Sequence, residues 1–280
     1  MTPPTAGPSS RGRRPGPTVR TRVHELGSEG ERHHEDRLAT EEPLEIRLAW
    51  PGAPPRRVWV TMRTPGHDFE LAAGWLVHEG LVTAPPHTIA YCTDADLTPE
   101  QEFNVVTVTL ADPPTRDPGH RHAGSGSSAC GVCGKDTIAE ALAAPAAGRW
   151  TGPVPGPDVV RTLPERLRTA QRVFDATGGV HAAALATALG ELLVVREDVG
   201  RHNALDKVTG ARVIGGQSPS EAALVVSGRA GFELVQKAVA AGVGTLVAVG
   251  APTSLAVHLA EEAGLGLYGF TSPRRTVRYA

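Results

Sequence analysis

Four short apolar runs mark the second half of the chain, at 192–196, 223–227, 246–250 and 265–270. Between them lie stretches of helical periodicity at 202–212, 231–241 and 253–263. No other feature constrains the fold as much. Such runs are too short for buried helices and suit strands covered on both faces. Strands separated by helix-length segments rejoin one sheet through crossovers. This half therefore predicts an α/β layered sheet, mainly parallel. No repeat of fixed period accompanies the rhythm.

The first half reads differently. Leu44, Ile46 and Leu48 alternate with polar residues, as in a half-buried strand, and 58–62 offers an antiparallel partner beyond a Pro/Gly turn at 51–55. A helix is expected over 69–78, with Gly80 at its end, and a strand over 103–110. Residues 112–129 are rich in Pro, Gly, Ser and His and read as a mobile loop, followed by a helix at 136–144. Five prolines in 145–164 mark a linker, and a helix over 164–176 ends at Gly178-Gly179. The expected organisation is a disordered tail over 1–40, an α+β part over 41–144, a Pro-rich linker over 145–164 and an α/β core over 165–280. The tail assignment rests on five prolines in the first 20 residues and on a polar continuation holding His24, His33 and His34.

Charge and cysteine usage narrow the class. The 280 residues carry 28 Lys+Arg against 30 Asp+Glu, which argues against a nucleic-acid coat or a polybasic membrane binder. The longest apolar stretches run to about eight residues, where a membrane span needs roughly 20. No apolar leader is visible, so a cytoplasmic protein is expected. Three cysteines, Cys92, Cys130 and Cys133, do not make a disulfide framework. Only Lys135, Lys207 and Lys237 are lysines, so these positions point to a preference for a compact ammonium over a guanidinium.

The densest chemistry lies in Ser127-Ser128-Ala129-Cys130-Gly131-Val132-Cys133-Gly134-Lys135. Two thiols three residues apart can share a metal, form a disulfide, or act as nucleophile and partner. A helix start just beyond them and the Lys135 ammonium both favour the thiolate. Zinc normally needs four ligands, and only Cys92, His120 and His122 remain to complete a set; no metal site is expected. A thioredoxin-like pair would follow a strand directly. A Ser/Gly-rich loop suits a group carrier better, sulfur carriage as a persulfide being one such chemistry.

A second cluster follows the first apolar run: Arg196-Glu197-Asp198-Val199-Gly200-Arg201-His202-Asn203-Ala204-Leu205-Asp206-Lys207. Ligands of open α/β sheets bind beyond the carboxyl ends of strands. Arg201, His202, Asn203 and Lys207 offer donors there, beside a helix N-terminus. Ser227-Gly228-Arg229 and Gly250-Ala251-Pro252-Thr253-Ser254 occupy the next two strand ends, with Ser227, Arg229, Thr253 and Ser254 able to bond phosphate. Neither is a Walker loop. With co-directional strands, these segments and Gly269-Phe270 would line one anion-binding crevice, fit for a nucleotide-bearing cofactor. His181, in Gly178-Gly179-Val180-His181-Ala182-Ala183, reads either as a hydrogen-bonded core residue or as part of that site.

These motifs together resemble the formate dehydrogenase accessory sulfurtransferase family, FdhD. The resemblance spans roughly residues 40–270 and also includes Thr61-Met62-Arg63-Thr64-Pro65-Gly66, Gly74-Trp75-Leu76-Val77-His78-Glu79-Gly80 and Ala251-Pro252-Thr253-Ser254-Leu255-Ala256. It implies a cytidine-deaminase-like α/β core, without the deaminase zinc motif. It also implies a sulfurtransferase that takes persulfide sulfur from a cysteine desulfurase. The acceptor is the bis-guanine-dinucleotide molybdenum cofactor needed by formate dehydrogenase. The family's persulfide cysteine falls on Cys130, with Cys133 beside it. Its cofactor segment falls on Phe270-Thr271-Ser272-Pro273-Arg274-Arg275, where Ser272 stands in place of the family's usual Arg and Arg274 or Arg275 would supply the charge. A homodimer is compatible with the family. A cofactor-binding chaperone with a regulatory Cys pair is the competing expectation.

Overall fold

The computed structural model describes residues 14–28, 30–93, 97–98, 101–118 and 148–280. Cys130, Cys133, Lys135, the expected 112–129 loop beyond Pro118 and the expected 136–144 helix lie outside the described residues.

The first element corrects the expected tail. Strands β1 (Thr18–Gly27) and β2 (Gly30–Ala39) pair antiparallel from Thr18↔Ala39 to Gly27↔Gly30. The segment lacks apolar alternation, which is why it reads as unstructured. Its ten-residue backbone ladder is instead lined by charge pairs between facing strands. Arg32 bonds Glu25 at 2.7 Å, and His24 meets Glu31 at 2.9 Å.

The α+β part follows. Strands β3 (Glu42–Trp50), β4 (Ala53–Arg63), β5 (Thr88–Tyr91) and β6 (Val105–Thr109) form a sheet of order β4-β3-β6-β5. Helix α1 (Asp68–His78) covers one face, packing Leu71 and Trp75 on Leu44, Ile46, Val106 and Val108. Trp59 stacks on Trp75 with ring centroids 5.0 Å apart.

The expected linker is shorter than its prolines imply. Helix α2 (Pro157–Ala170) starts on a proline, which the first helical turn tolerates because that N–H has no partner anyway. Val160, Leu163 and Leu167 carry its buried stripe, and Pro164 sits inside the helix. Helix α3 (Arg172–Thr177) follows, ended by Gly178 at φ 66°.

Six strands build the core sheet: β7 (His181–Ala186), β8 (Leu192–Asp198), β9 (Ala223–Val226), β10 (Thr245–Ala248), β11 (Gly266–Ser272) and β12 (Arg275–Arg278). Their order is β12-β11-β10-β9-β7-β8. Strand β7 escapes the sequence pattern because its apolar residues are mostly alanines, poor strand formers in isolation. It forms because it is enclosed. Ala183 and Leu185 face helices α4 (Arg201–Ile214), α5 (Phe232–Ala240) and α6 (Ser254–Ala263), while Ala182, Ala184 and Ala186 face α2.

Strand β7 runs antiparallel to both β8 and β9, and β9, β10 and β11 are mutually parallel. The half is thus less parallel than expected, with β7 antiparallel to both its neighbours and β12 antiparallel to β11. The course of β7 leaves β8, β9, β10 and β11 pointing the same way, so their carboxyl ends share one edge. The layered α/β core beside a smaller α+β part is the architecture that the resemblance implies.

The two parts meet where α1 crosses α4. A Cβ on Gly74 would lie 1.9 Å from the Asp206 carbonyl oxygen, and one on Gly210 would lie 1.8 Å from that of Glu70. Only glycine lets these backbones touch. The Arg196 guanidinium grips the Glu70 carboxylate across the same junction, with Nη2 to Oε1 at 2.7 Å.

Candidate functional site

Helices α4, α5 and α6 begin immediately beyond β8, β9 and β10, so three helix N-termini converge on the shared carboxyl edge. Their N-caps are Gly200, Gly231 and Thr253, and none makes a side-chain capping bond among the described residues. No described side chain therefore occupies these helix starts, which carry partial positive charge, although in α5 the Leu234 N–H turns back to the Gly231 carbonyl at 3.1 Å. Two glycines let neighbouring loops close on one another. A Cβ on Gly250 would approach Arg229 Cγ to 2.9 Å, and one on Gly269 would approach Pro252 Cδ to 2.7 Å. The Gly250 N–H donates to the Gly228 carbonyl at 2.9 Å, and the Phe270 N–H to the Gly250 carbonyl at 3.1 Å.

Side chains add to this edge. Arg201 and His202 occupy the first turn of α4, and His202 Nε2 meets Glu233 Oε2 at 2.8 Å. His181 opens β7 opposite Asp198, beside Gly228 and Arg201. Burial first, and then the Arg201 charge, hold its imidazole below the ordinary histidine range. No hydrogen bond to its ring nitrogens is formed among the described residues. The sequence leaves His181 between core and site; the structure puts it at the site's floor. Arg229, Thr253 and Ser254 are exposed around the rim. Ser227 is less free than expected, since its Oγ already accepts the Ala182 N–H at 2.9 Å.

Phe270 is the most unusual residue here. Its φ is 49°, left-handed backbone that a bulky aromatic seldom adopts. It sits where the β11–β12 register shifts between Gly269 and Ser272, and that bulge turns its ring outward, 44 % exposed. The Arg275 guanidinium lies 5.3 Å from the ring centroid. Pro273 and Arg274 form the exposed turn between the strands, Thr271 is buried against Thr276 Oγ1 at 3.0 Å, and Ser272 Oγ donates to the Arg275 carbonyl.

Two expected donors face elsewhere. Lys207 is 1 % exposed, and its ammonium meets Asp198 Oδ2 at 2.6 Å, the Thr64 carbonyl at 2.9 Å and the Glu197 carbonyl at 3.4 Å. Those three acceptors use all three of its protons. Burial pushes the Asp198 carboxyl up, against the pull of Lys207 and of bonds from Gly200 and Asn203. Asn203 spends its amide on the Met62 carbonyl at 2.7 Å and on Asp198 at 3.1 Å. Both residues lie within α4, on the side that packs against the α+β part, so they latch the two parts together instead of reaching into the crevice. Helical periodicity alone could not tell the two faces apart, because polar residues occur on both.

Two further buried polar groups were not among the expected site residues, although Arg63, His78 and Asp206 fall in the motifs above and Lys237 is one of the three lysines; the first lies inside the α+β part and the second joins α1 to α4 and α5. Arg63 is fully buried and forks onto Asp68 at 3.0 and 3.2 Å, while the Tyr91 hydroxyl donates to Asp68 at 2.8 Å. His78 Nδ1, Asp206 Oδ1 and Lys237 Nζ form a buried chain with contacts of 2.5 and 2.6 Å. Their sequence signal is faint: single polar residues at strand ends or inside otherwise apolar helix faces.

The residues flanking the cysteine segment emerge away from the crevice. Arg116 bonds the Glu79 carbonyl beyond the end of α1. Arg149 bonds the Ala263 carbonyl at 3.0 Å, and Gly148 lies against Gly242, both near the amino ends of β10 and β11. A cavity of about 720 Å³ lies on this side, lined by Val77, Val82, Pro85, Arg116, Val213 and Pro219 among others. Its one cation among the described residues, Arg116, is already paired with Glu79, so that lining matches a phosphorylated ligand less well than the carboxyl edge does.

The fold defines a two-part α/β protein with a crevice at the carboxyl edge of its core sheet, lined by three helix N-termini. The chain belongs to the FdhD/NarQ family, whose model matches residues 39–280. A sulfur carrier protein FdhD of Streptomyces avermitilis is 50 % identical over 251 residues, covering 84 % of each chain. A sulfur carrier protein FdhD of Thermoplasma volcanium is 39 % identical over 257 residues, covering 91 % of each. The fold is also that of a putative formate dehydrogenase accessory protein from Desulfotalea psychrophila, with a TM-score of 0.73 at 22 % identity, covering 94 % of this chain and 97 % of that one. No helix among the described residues is long and apolar enough to cross a membrane.

Proposed function

We propose that this chain is a sulfur carrier serving formate dehydrogenase. In this reading a cysteine desulfurase loads Cys130. The Cys130 thiolate attacks the outer sulfur of the desulfurase persulfide, a new S–S bond forms, the old one breaks, and the desulfurase thiolate leaves. No net oxidation occurs. Cys133 is the neighbouring thiol. The acceptor substrate is a molybdenum cofactor bearing two guanine dinucleotides. A thiol carrier of this kind needs a reducing compartment, so the reading places it in the cytoplasm.

The observation that carries the proposal is the carboxyl-edge crevice. Three uncapped helix starts with Arg201, His202 and Arg229 suit pyrophosphate, and the outward Phe270 ring with Arg275 suits a purine face. The family and its curated sulfur-carrier relatives support the sulfur chemistry. Two measurements test it. Incubation with a desulfurase and cysteine should add the mass of one sulfur atom to the peptide containing Cys130, and Cys130→Ala should lose both that gain and formate dehydrogenase activation. Calorimetry with GDP should show binding that Phe270→Ala weakens, since stacking on an aromatic ring is worth about 1–3 kcal/mol. Full activation by Cys130→Ala would overturn the carrier assignment. Unchanged GDP affinity in Phe270→Ala would move the nucleotide site.

A further inference from the structure

Helices α4 and α5 begin at the carboxyl-edge crevice and end at the cavity of about 720 Å³, where Val213 and Ala240 join Val77, near the end of α1, in the lining. The 14 residues of α4 hold the two places about 20 Å apart. Helix starts line the first and helix ends, with partial negative charge, line the second. A phosphorylated acceptor suits the first pole. The second has no role in the sulfur-carrier reading as it stands.

The cavity is built for apolar surface. Val77, Val82, Pro85, Val213, Pro219 and Ala240 form much of its wall. Its polar side chains are mostly engaged elsewhere. The Thr115 hydroxyl donates to the Gly80 carbonyl, Arg116 pairs with Glu79, Gln217 Oε1 accepts from Arg212 at 3.0 Å, and Ser218 Oγ accepts the Ser220 N–H at 3.1 Å. Of the polar wall residues only Thr83 makes no side-chain bond among the described residues. A small-molecule pocket orients its ligand with free, convergent polar groups. A pocket that receives an apolar anchor from another protein needs none. Ile214, 48 % exposed at the end of α4, continues the apolar surface next to Val213.

The chain itself indicates which protein. Arg116 is a wall residue, two positions before Pro118, where the described chain stops ahead of Cys130. The chain is described again from Gly148, whose carbonyl oxygen lies 2.9 Å from where a Cβ on Gly242 would sit, two residues beyond Ala240. Both roots of the cysteine segment therefore border the cavity. A sulfur donor seated here would stand beside the segment it loads and leave the acceptor pole open.

We infer that this cavity is the docking pocket for the sulfur donor, and that a cysteine desulfurase inserts an apolar loop into it. The inference rests on the sulfur-carrier reading and adds to it the surface used for loading.

The full chain and a purified cysteine desulfurase test this, by calorimetry and by the rate of sulfur gain on the Cys130 peptide. Ala84→Arg and Ser218→Arg each bring a long charged side chain into the cavity from an exposed position, so the fold should hold, as circular dichroism checks. Each should weaken desulfurase binding by about ten- to a hundredfold and slow loading in proportion at low desulfurase concentration. Inorganic polysulfide bypasses docking: the Cys130 thiolate attacks a terminal sulfur, and the shortened polysulfide leaves. By that route both variants should load at the wild-type rate. Saturating GDP should not displace the desulfurase, because the two poles are separate. Three results would overturn the inference and spare the carrier reading: wild-type desulfurase affinity in both variants, displacement of the desulfurase by GDP, or a wild type that polysulfide loads but the desulfurase does not bind. A wild type that gains sulfur on Cys130 from neither donor would overturn the carrier reading and the inference with it.

Discussion

Lys207→Ala separates a ligand-binding lysine from a structural one. The ammonium is 1 % exposed and touches Asp198 at 2.6 Å, with two backbone carbonyls completing its bonds. Removing it leaves the fully buried Asp198 carboxylate without its cation and the Thr64 carbonyl without a donor. Breaking a buried pair from one side costs about 3–5 kcal/mol, a large share of the roughly 5–15 kcal/mol that holds a domain folded. With a urea slope near 3 kcal/mol/M, the unfolding midpoint should fall by about 1–2 M. Exchanging both partners, Lys207→Met with Asp198→Asn, should recover part of the loss, because Asn keeps acceptor capacity for the Gly200 N–H without a buried charge. Arg201→Ala provides the contrast, with weaker GDP binding and little change in midpoint. A Lys207→Ala protein that unfolds at the wild-type midpoint and loses GDP affinity would refute this reasoning and return the lysine to the crevice.

Gly210→Ala should destabilise despite the better helix propensity of alanine. That propensity gain is about 1 kcal/mol, whereas the added methyl would sit 1.8 Å from the Glu70 carbonyl oxygen and force α1 off α4; a raised melting temperature would show the crossing to be looser than described. His78 is held neutral chiefly by burial, with its Nε2 unpartnered among the described residues, so its folded value lies below the unfolded 6.5. The unfolded chain therefore takes up the proton first, stability falls as pH drops below about 6.5, and His78→Asn should flatten that slope in urea titrations between pH 7 and 5. Burial alone would raise the Glu70 carboxyl, but bonds from Arg196 and His67 hold it at about 2. Its contribution should be complete above 4.5 and disappear as pH falls towards 2, and Glu70→Gln should remove that acid limb, as thermal melts across the range would show.

The alternation of apolar runs with helical periods determined by itself that the second half folds as a layered sheet, since only buried strands and crossover helices satisfy that rhythm. It also placed Arg201, His202, Arg229 and Thr253 at strand ends, because ligand edges follow from chain direction. Tertiary structure decided three things that local pattern cannot hold. Strand β7 exists because β8, β9 and two helical layers enclose a run of alanines, and its antiparallel course still leaves four strands pointing one way. Lys207 and Asn203 share a helix with Arg201, yet the end of β4 and Thr64 close over them beside the Gly74–Gly210 crossing. The β1–β2 hairpin joins facing strands by a backbone ladder lined with charge pairs, from residues that look like a solvated tail in one dimension. In each case the deciding energy lies between segments distant in sequence or on facing strands, where composition and periodicity carry no signal.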